Sequence, residues 1–412
     1  MTRSEPVFIL GGAQTDFARN VHREGGTLID LLREATSGAL ESAQLTAADI
    51  GTAHVGNFLG EVYSGQGHLG GLLVESTPEL AGIPVSRHEA ACASGSMAVL
   101  AATAELDAGR AEVALVVGVE LMRADGGFAA QQALGAAAWV PRETQGVEYP
   151  WPHLFSLLAA EYDRRYGLDH VHLGALARKA FANATKNPVA QTREWNVVDG
   201  NFADDDDLNP LVAGMLRRYD CSQVTDGSAA VVLASEVAAR SWATDRGLTL
   251  DDVPRIEGWG HRTARMTMAG KLADHADDPF VLPHVKATID DAFGRAGIAD
   301  VAQIDAIETH DCFTISEYAA IDHFGLTAPG ESWRAIEDGV VDLGGSTPIN
   351  PGGGLTGGGH PVGATGVRML WDAAKQVSNQ AGECQVDGAR RVATLNIGGN
   401  ATTVASFVVA AG

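Results

Sequence analysis

The chain has 412 residues, of which 45% are hydrophobic, 20% charged and 49 glycine, a globular composition with room for two or three domains and large buried cores. Its formal net charge of −23 argues against nucleic acid or an anionic membrane as the main partner, because both reward basic surfaces. No run approaches the ~20 apolar residues of a membrane span. The polar Met1–Val7 and the Val408–Gly412 ending read as free of targeting signals, so a soluble cytoplasmic protein is expected.

In chain order, Val7 to Leu10 predicts a strand. Leu28, Leu31, Leu32, Ala35 and Ala39 recur at helical spacing. His54 to Leu59 predicts a short strand, and Ser94 to Ala108 a helix of small residues. Val113 to Val119 lacks a polar side chain, as expected of a strand buried on both faces. A second half repeats this order. Arg255 to Trp259 predicts a strand, Val285 to Ala296 a helix, Ile304 to Glu308 a strand and Gly363 to Gln376 a helix, and Val392 to Leu395 and Val404 to Val409 close the chain as strands. Alternating strands and helices argue for an α/β architecture. The two similar halves argue for duplication with a site between them.

The stretch from Arg123 to Arg217 breaks the rhythm. It holds helices over Leu157 to Tyr166 and Leu173 to Ala184, and is read as an inserted lobe over the site. Four segments are therefore expected: 1–122 as the first core half, 123–217 as the lobe, 218–250 returning to the first core, and 251–412 as the second half. Asp204 to Asp207 reads as a surface loop, with a cation site as the alternative. Arg178, Lys179, Lys186, Arg217 and Arg218 are candidates for a local basic patch, although a solvated face is the simpler reading for most of them.

The four cysteines, Cys92, Cys221, Cys312 and Cys384, form no Cys-x-x-Cys pair, so free thiols are expected rather than a structural zinc site or disulfides. Cys384 is placed in a surface loop after the last helix. Cys92, in Ala91-Cys92-Ala93-Ser94-Gly95-Ser96, opens the small-residue helix. A helix N-terminus and a nearby imidazole lower a thiol from ~8.5, so a lowered pKa is expected there. His360 sits in a turn with glycines at 352, 353, 354, 357, 358, 359, 363 and 366. A histidine held there can take a thiol proton and then donate to a carbonyl oxygen. His310 and Cys312 follow a strand, where side chains reach the crevice in which α/β proteins bind ligands. Asp311 is expected to point away and orient the loop. The alternatives are a buried structural thiol for Cys92, a capping histidine for His360 and a packed thiol beside Phe313 for Cys312.

These segments resemble the thiolase superfamily. The likeness lies in Cys92-Ala93-Ser94-Gly95, in Gly359 to Gly366 (Gly-His-Pro-Val-Gly-Ala-Thr-Gly) and in the return segment Cys221 to Ala230, and it covers nearly the whole chain. Most thiolases carry Asn-Glu-Ala-Phe where this chain has His310-Asp311-Cys312-Phe313, and Cys-x-Gly where it has Asn396-Ile397-Gly398. Both departures resemble the sterol-carrier-protein-2-type thiolases. The resemblance implies two duplicated βαβαβ-type halves in a layered α/β/α/β/α sandwich. It also implies an enzyme that makes or cleaves 3-ketoacyl-CoA through an acyl-cysteine. In that scheme Cys92 is acylated, His360 activates it and Cys312 moves the α-proton in place of the absent late cysteine. His310 and His360 form one oxyanion site and the N–H groups of Cys92 and Gly398 another, while Ser222 contacts the pantetheine arm. Coenzyme A is then substrate and product, with no permanent cofactor or metal. A homodimer or a dimer of dimers is implied. The alternatives are a thiolase-fold side-chain aldolase, which in the family pattern lacks the nucleophilic cysteine, and a subunit dependent on a small zinc/OB-fold partner protein.

Overall fold

The computed structural model describes residues 6–124 and 126–412. Nine strands build the main sheet: β1 (Val7–Gln14), β2 (Thr52–Gly56), β3 (Val85–His88), β4 (Val113–Glu120), β5 (Gly227–Ala234), β6 (Arg255–Thr263), β7 (Ala306–Thr309), β8 (Arg391–Gly398) and β9 (Thr403–Ala410). Their spatial order is β3-β2-β4-β5-β1-β6-β9-β8-β7. Two motifs of the same design lie within it. In β2-β4-β5-β1 one parallel pair is followed by two antiparallel pairs, and β7-β8-β9-β6 repeats that sequence of pairings. This is the duplication expected from the repeated order of elements. The halves join edge to edge through a short antiparallel contact, Val7 with Ile256 and Phe8 with Arg255.

The helices that frame the sheet and the site are α1 (Leu28–Ala43), α2 (Leu69–Ser76), α3 (Ser94–Asp107), α4 (Pro150–Tyr166), α5 (His170–Ala184), α6 (Glu236–Asp245), α7 (Pro283–Ala296), α8 (Thr314–Phe324) and α9 (Thr365–Val377). Helices α3 and α9 form the central layer. Ala98, Val99 and Ala102 share one core with Val367, Leu370 and Ala373 and with residues of both half-sheets, among them Val116, Val231, Val392 and Phe407. Small side chains let the two half-sheets close on this layer from both sides. Helices α1, α2 and α6 cover the outer face of the first half, where Leu32, Leu73 and Ala239 meet Val117 and Val232. Helices α7 and α8 cover the second, where Ile289 and Ile315 meet Leu395 and Val404. The layers run α/β/α/β/α.

The stretch from 123 to 217 adds no strand to the main sheet among the described residues; its only strands, Leu211–Ala213 and Leu216–Arg217, pair with each other. Helix α4 starts at Pro150, a turn and more before the expected Leu157. A proline in the first helical turn loses no hydrogen bond, so the Pro150-Trp151-Pro152 run opens the helix rather than preceding it. Cys384 is buried, not at the surface as expected, because the turn carrying it folds back on α9, where Gln376 Nε2 donates to the Cys384 carbonyl at 2.7 Å.

Candidate functional site

The first half delivers Cys92 on a strained turn. Ala91 is left-handed at φ 52°, an uncommon conformation for a residue with a side chain. Ser94 holds it there: its Oγ accepts from Ala90 N at 3.0 Å and donates to Ala91 O at 2.6 Å. A single 3₁₀ turn, Ala91–Ala93, then passes into α3, so Cys92 stands just ahead of the helix start.

The second half delivers His360 against that turn. The approach is backbone to backbone. A Cβ on Gly118 would lie 2.4 Å from the Gly363 carbonyl oxygen, and one on Gly95 would lie 2.8 Å from the same atom. Glu120, at the end of β4, locks the contact: its carboxylate accepts from Gly363 N at 3.2 Å, from Phe58 N and Leu59 N at 3.0 Å, and from Asn57 Nδ2 at 2.8 Å. Thr365 Oγ1 donates to Pro361 O at 3.0 Å and lies 2.7 Å from His360 Nδ1. With the hydroxyl proton spent on the carbonyl, Nδ1–H must be the donor in the second bond. The neutral ring therefore keeps a free lone pair on Nε2, the form a general base needs.

His310 has the opposite tautomer. Asn396 Oδ1 accepts from Ser96 Oγ at 2.8 Å, which fixes the amide, and its Nδ2 then donates to His310 Nδ1 at 3.1 Å. The His310 proton is left on Nε2, a buried atom with no hydrogen-bond partner. A buried N–H without an acceptor is a donor held ready for a ligand oxygen. Asp311 does orient the neighbouring loop: its carboxylate accepts from Leu355 N at 2.6 Å and Thr356 N at 3.2 Å. The His310 and His360 rings meet edge to face, with centroids 5.0 Å apart. Cys92 Sγ and one ring nitrogen of each histidine lie within 4.8 Å of one another, close enough also to grip a thiophilic metal ion.

Burial sets the resting protonation. It pushes the Cys92 thiol up to about 12, against the pull of the Gly399 N–H and of its own N–H. This reverses the lowered pKa expected from the helix start: desolvation of the thiolate outweighs the helix dipole. Burial, with the Arg368 guanidinium behind it, holds His360 down to about 3. Burial, His360 and Arg368 hold His310 well below the usual range. Arg368 itself is buried in α9, between Glu308 at 2.9 Å and Asp372 at 2.8 Å. The resting site is thus a neutral thiol beside neutral imidazoles.

The return segment joins these parts. Cys221 bridges to Phe313 and Val224 to His360, and Ser222 N donates to Cys312 O at 2.8 Å. Cys92, Cys221, Ser222, Cys312 and His360 line one cleft, walled by Trp151, Phe155 and Phe313. The Phe155 and Phe313 rings stack at 4.6 Å. Burial also raises the Cys312 thiol, with Cys92 and Asp311 adding to the shift and Ser316 opposing it. Gly399 lines the cleft and faces the sulfur, while Gly398, the donor expected from the sequence, packs on the turn that carries Cys92, where a Cβ would lie 2.2 Å from Ala90 O. Most of the basic candidates are engaged elsewhere: Lys179 pairs with Glu317, Arg178 with Asp199, and Arg217 with Asp204 and Asp206, which ties down the acidic run.

The model described as "Thiolase, N-terminal domain" matches residues 7–237, more than half of the chain. The chain belongs to the thiolase family. The "Thiolase C-terminal domain-like" model matches residues 269–411. An acetyl-CoA acetyltransferase of Methanothermobacter thermautotrophicus is 31% identical over 405 residues, covering 98% of each chain. Sterol carrier protein 2 of Gallus gallus is 27% identical, covering 98% of this chain and 72% of its own length. Among solved structures, the Ltp2-ChsH2(DUF35) aldolase superposes with a TM-score of 0.78 at 19% identity, covering 100% of this chain and 99% of its own. Human mitochondrial 3-ketoacyl-CoA thiolase in complex with CoA superposes with 0.70 at 18%, with the same coverage. At these identities the two structures share the thiolase fold. No described helix is long and apolar enough to cross a membrane.

Proposed function

We propose that this thiolase-family chain makes or cleaves 3-ketoacyl-CoA by Claisen chemistry through an acyl-Cys92 intermediate. The observation that carries the reading is the meeting of the Cys92 sulfur with His310 and His360 nitrogens within 4.8 Å, in a cleft that Cys312 also lines. In thiolysis, Cys92 Sγ attacks the 3-keto carbon while its proton passes to His360 Nε2. The N–H groups of Gly399 and Cys92, with Gly398 setting the turn, face the oxygen that gains charge. The C2–C3 bond breaks toward C2, and the enolate oxygen lies against His310 Nε2–H. The Cys312 thiol protonates C2, and acetyl-CoA leaves. A second CoA then gives its thiol proton to the Cys312 thiolate and attacks acyl-Cys92, whose sulfur recovers a proton from His360. Condensation runs the same steps backwards. Ser222, which lines the cleft, serves as the pantetheine contact in this reading, and the assembly is a homodimer or a dimer of dimers.

Incubation with a panel of 3-ketoacyl-CoAs plus CoA, followed by mass spectrometry of the peptide carrying Cys92, tests the reading. An adduct found only on Cys312 would reverse the two thiols. The fold likeness to the Ltp2-ChsH2(DUF35) aldolase favours a second reading, an aldolase or a subunit that needs a partner protein, and adding candidate partners to the same assay separates the two.

A further inference from the structure

The turn that brings Gly399 to Cys92 closes with its own hydrogen bond, Thr402 N to Gly398 O at 3.0 Å, but holds one residue against its backbone preference. Gly399 and Ala401 are both left-handed at φ 63°, and Ala401 pays for this with a side chain in place. Three side chains from outside the turn grip it. Lys271, from the short helix Met268–Asp274 and only 2% exposed, donates to Asn400 O at 2.7 Å, to Thr402 Oγ1 at 3.0 Å and to Asn400 Oδ1. Glu143, from the inserted stretch, accepts from Asn400 Nδ2 at 3.1 Å and from Met268 N at 2.6 Å. His284 Nε2–H, from α7, donates to Ala401 O at 2.8 Å. A buried lysine is costly to desolvate, and nothing in the acyl-transfer steps above uses this one.

We propose that Lys271, braced by Glu143 and His284, is a positioning residue that holds the Gly398–Thr402 turn so that the Gly399 N–H stays aimed at the Cys92 sulfur. Without the ammonium, the Asn400 carbonyl, the Asn400 amide oxygen and the Thr402 hydroxyl lose their shared donor, and the left-handed Ala401 relaxes. A shift of about 1 Å in a group facing the reacting atom costs up to ~10²-fold in rate. The device also has a pH signature. Burial brings Lys271 down to about 7, with Glu143 opposing the fall, whereas burial keeps His284 at about 4 and so neutral across the same range. As pH rises through about 7 the ammonium is lost and the grip weakens.

The inference rests on the reading of Cys92 as the acylated thiol, so the test begins with single-turnover acylation of the wild-type chain by acetyl-CoA, read by intact mass between about pH 6 and pH 9. Lys271→Met should retain acetyl-CoA binding and acylate ~10–10²-fold more slowly at about pH 6, with the gap to wild type narrowing above pH 7. Glu143→Gln removes the charge that keeps Lys271 protonated, so its loss of rate relative to wild type should be greatest near pH 7 and small at about pH 6. A purely structural Glu143 would lower the rate evenly at every pH. Wild-type acylation rates in folded Lys271→Met would overturn the inference. If Lys271→Met does not fold, a Glu143→Gln deficit that is the same at every pH overturns it instead. A wild-type chain that never acylates overturns the reading of Cys92 itself.

Discussion

Asn396→Leu is the sharpest test of how the site is tuned. The side chain keeps its branching and its number of heavy atoms but loses both polar ends. Two buried hydrogen bonds disappear, to Ser96 Oγ at 2.8 Å and to His310 Nδ1 at 3.1 Å. Each is worth about 1 kcal/mol net, and the stranded Ser96 hydroxyl adds about 1–3 kcal/mol of desolvation cost, part of which leucine recovers by packing. The expected loss of stability is about 2–4 kcal/mol, readable in denaturant unfolding. The kinetic effect has a different origin. Once Asn396 no longer donates to Nδ1, either His310 nitrogen can carry the proton, and Nε2–H is no longer guaranteed to the enolate oxygen. Loss of one such donor costs ~10²–10³-fold in kcat. Thiolysis of a short 3-ketoacyl-CoA should therefore show kcat down by that factor with KM nearly unchanged. Ser96→Ala frees the amide to turn over and should give a smaller fall of the same kind. If Asn396→Leu is folded and retains wild-type kcat, the tautomer argument fails.

Cys312→Ala should still accept an acyl group on Cys92 but lose α-proton exchange and turnover by ~10²–10⁴-fold; near-normal thiolysis would remove Cys312 from the mechanism. With its thiol pushed up to about 12 by burial, resting Cys92 should react with iodoacetamide at a rate that keeps climbing with pH, and a plateau below pH 8 would contradict the neutral resting pair. Gly118→Ala puts a Cβ 2.4 Å from Gly363 O and should cost at least ~1–3 kcal/mol of stability along with activity, whereas Gly127→Ala, with nothing within 4 Å, should be nearly silent in both assays.

Much of this arrangement can be read from the residues alone. Sequence pattern locates seven of the nine strands of the main sheet, missing β3 and β5, together with the two small-residue helices, and the repeated order of elements foretells the duplicated pairing in the sheet. Cys92, His310, Cys312 and His360 stand out because each lies at the end of such an element. What is missed depends on burial, which periodicity does not report. Asn396 reads only as an absent thiol, yet it sets the His310 tautomer. Glu120, Lys271 and Arg368 look like surface charges and are buried. Cys221 looks like part of a connecting segment and lines the cleft. The helix rule for Cys92 is sound locally, but desolvation is a property of the whole fold and overrules it. Gly399 differs from Gly398 by a single step along a turn, below what pattern can resolve.

The stretch from 352 to 360 looks, by composition, like the most mobile part of the chain, yet nearly all of it is buried. From Leu355 to His360 its amides are spoken for: Leu355 and Thr356 by Asp311, Gly357 and Gly358 by Gly353, Gly359 by Leu355, and His360 by Thr225. Such a loop exchanges its amide hydrogens with solvent at the pace of the core rather than of a surface turn. His360, the proposed base, has no local route out of place: to displace it, the chain must break the packing between its two halves. Heat or denaturant should then abolish turnover and tertiary structure in one step, without a folded but inactive species between them.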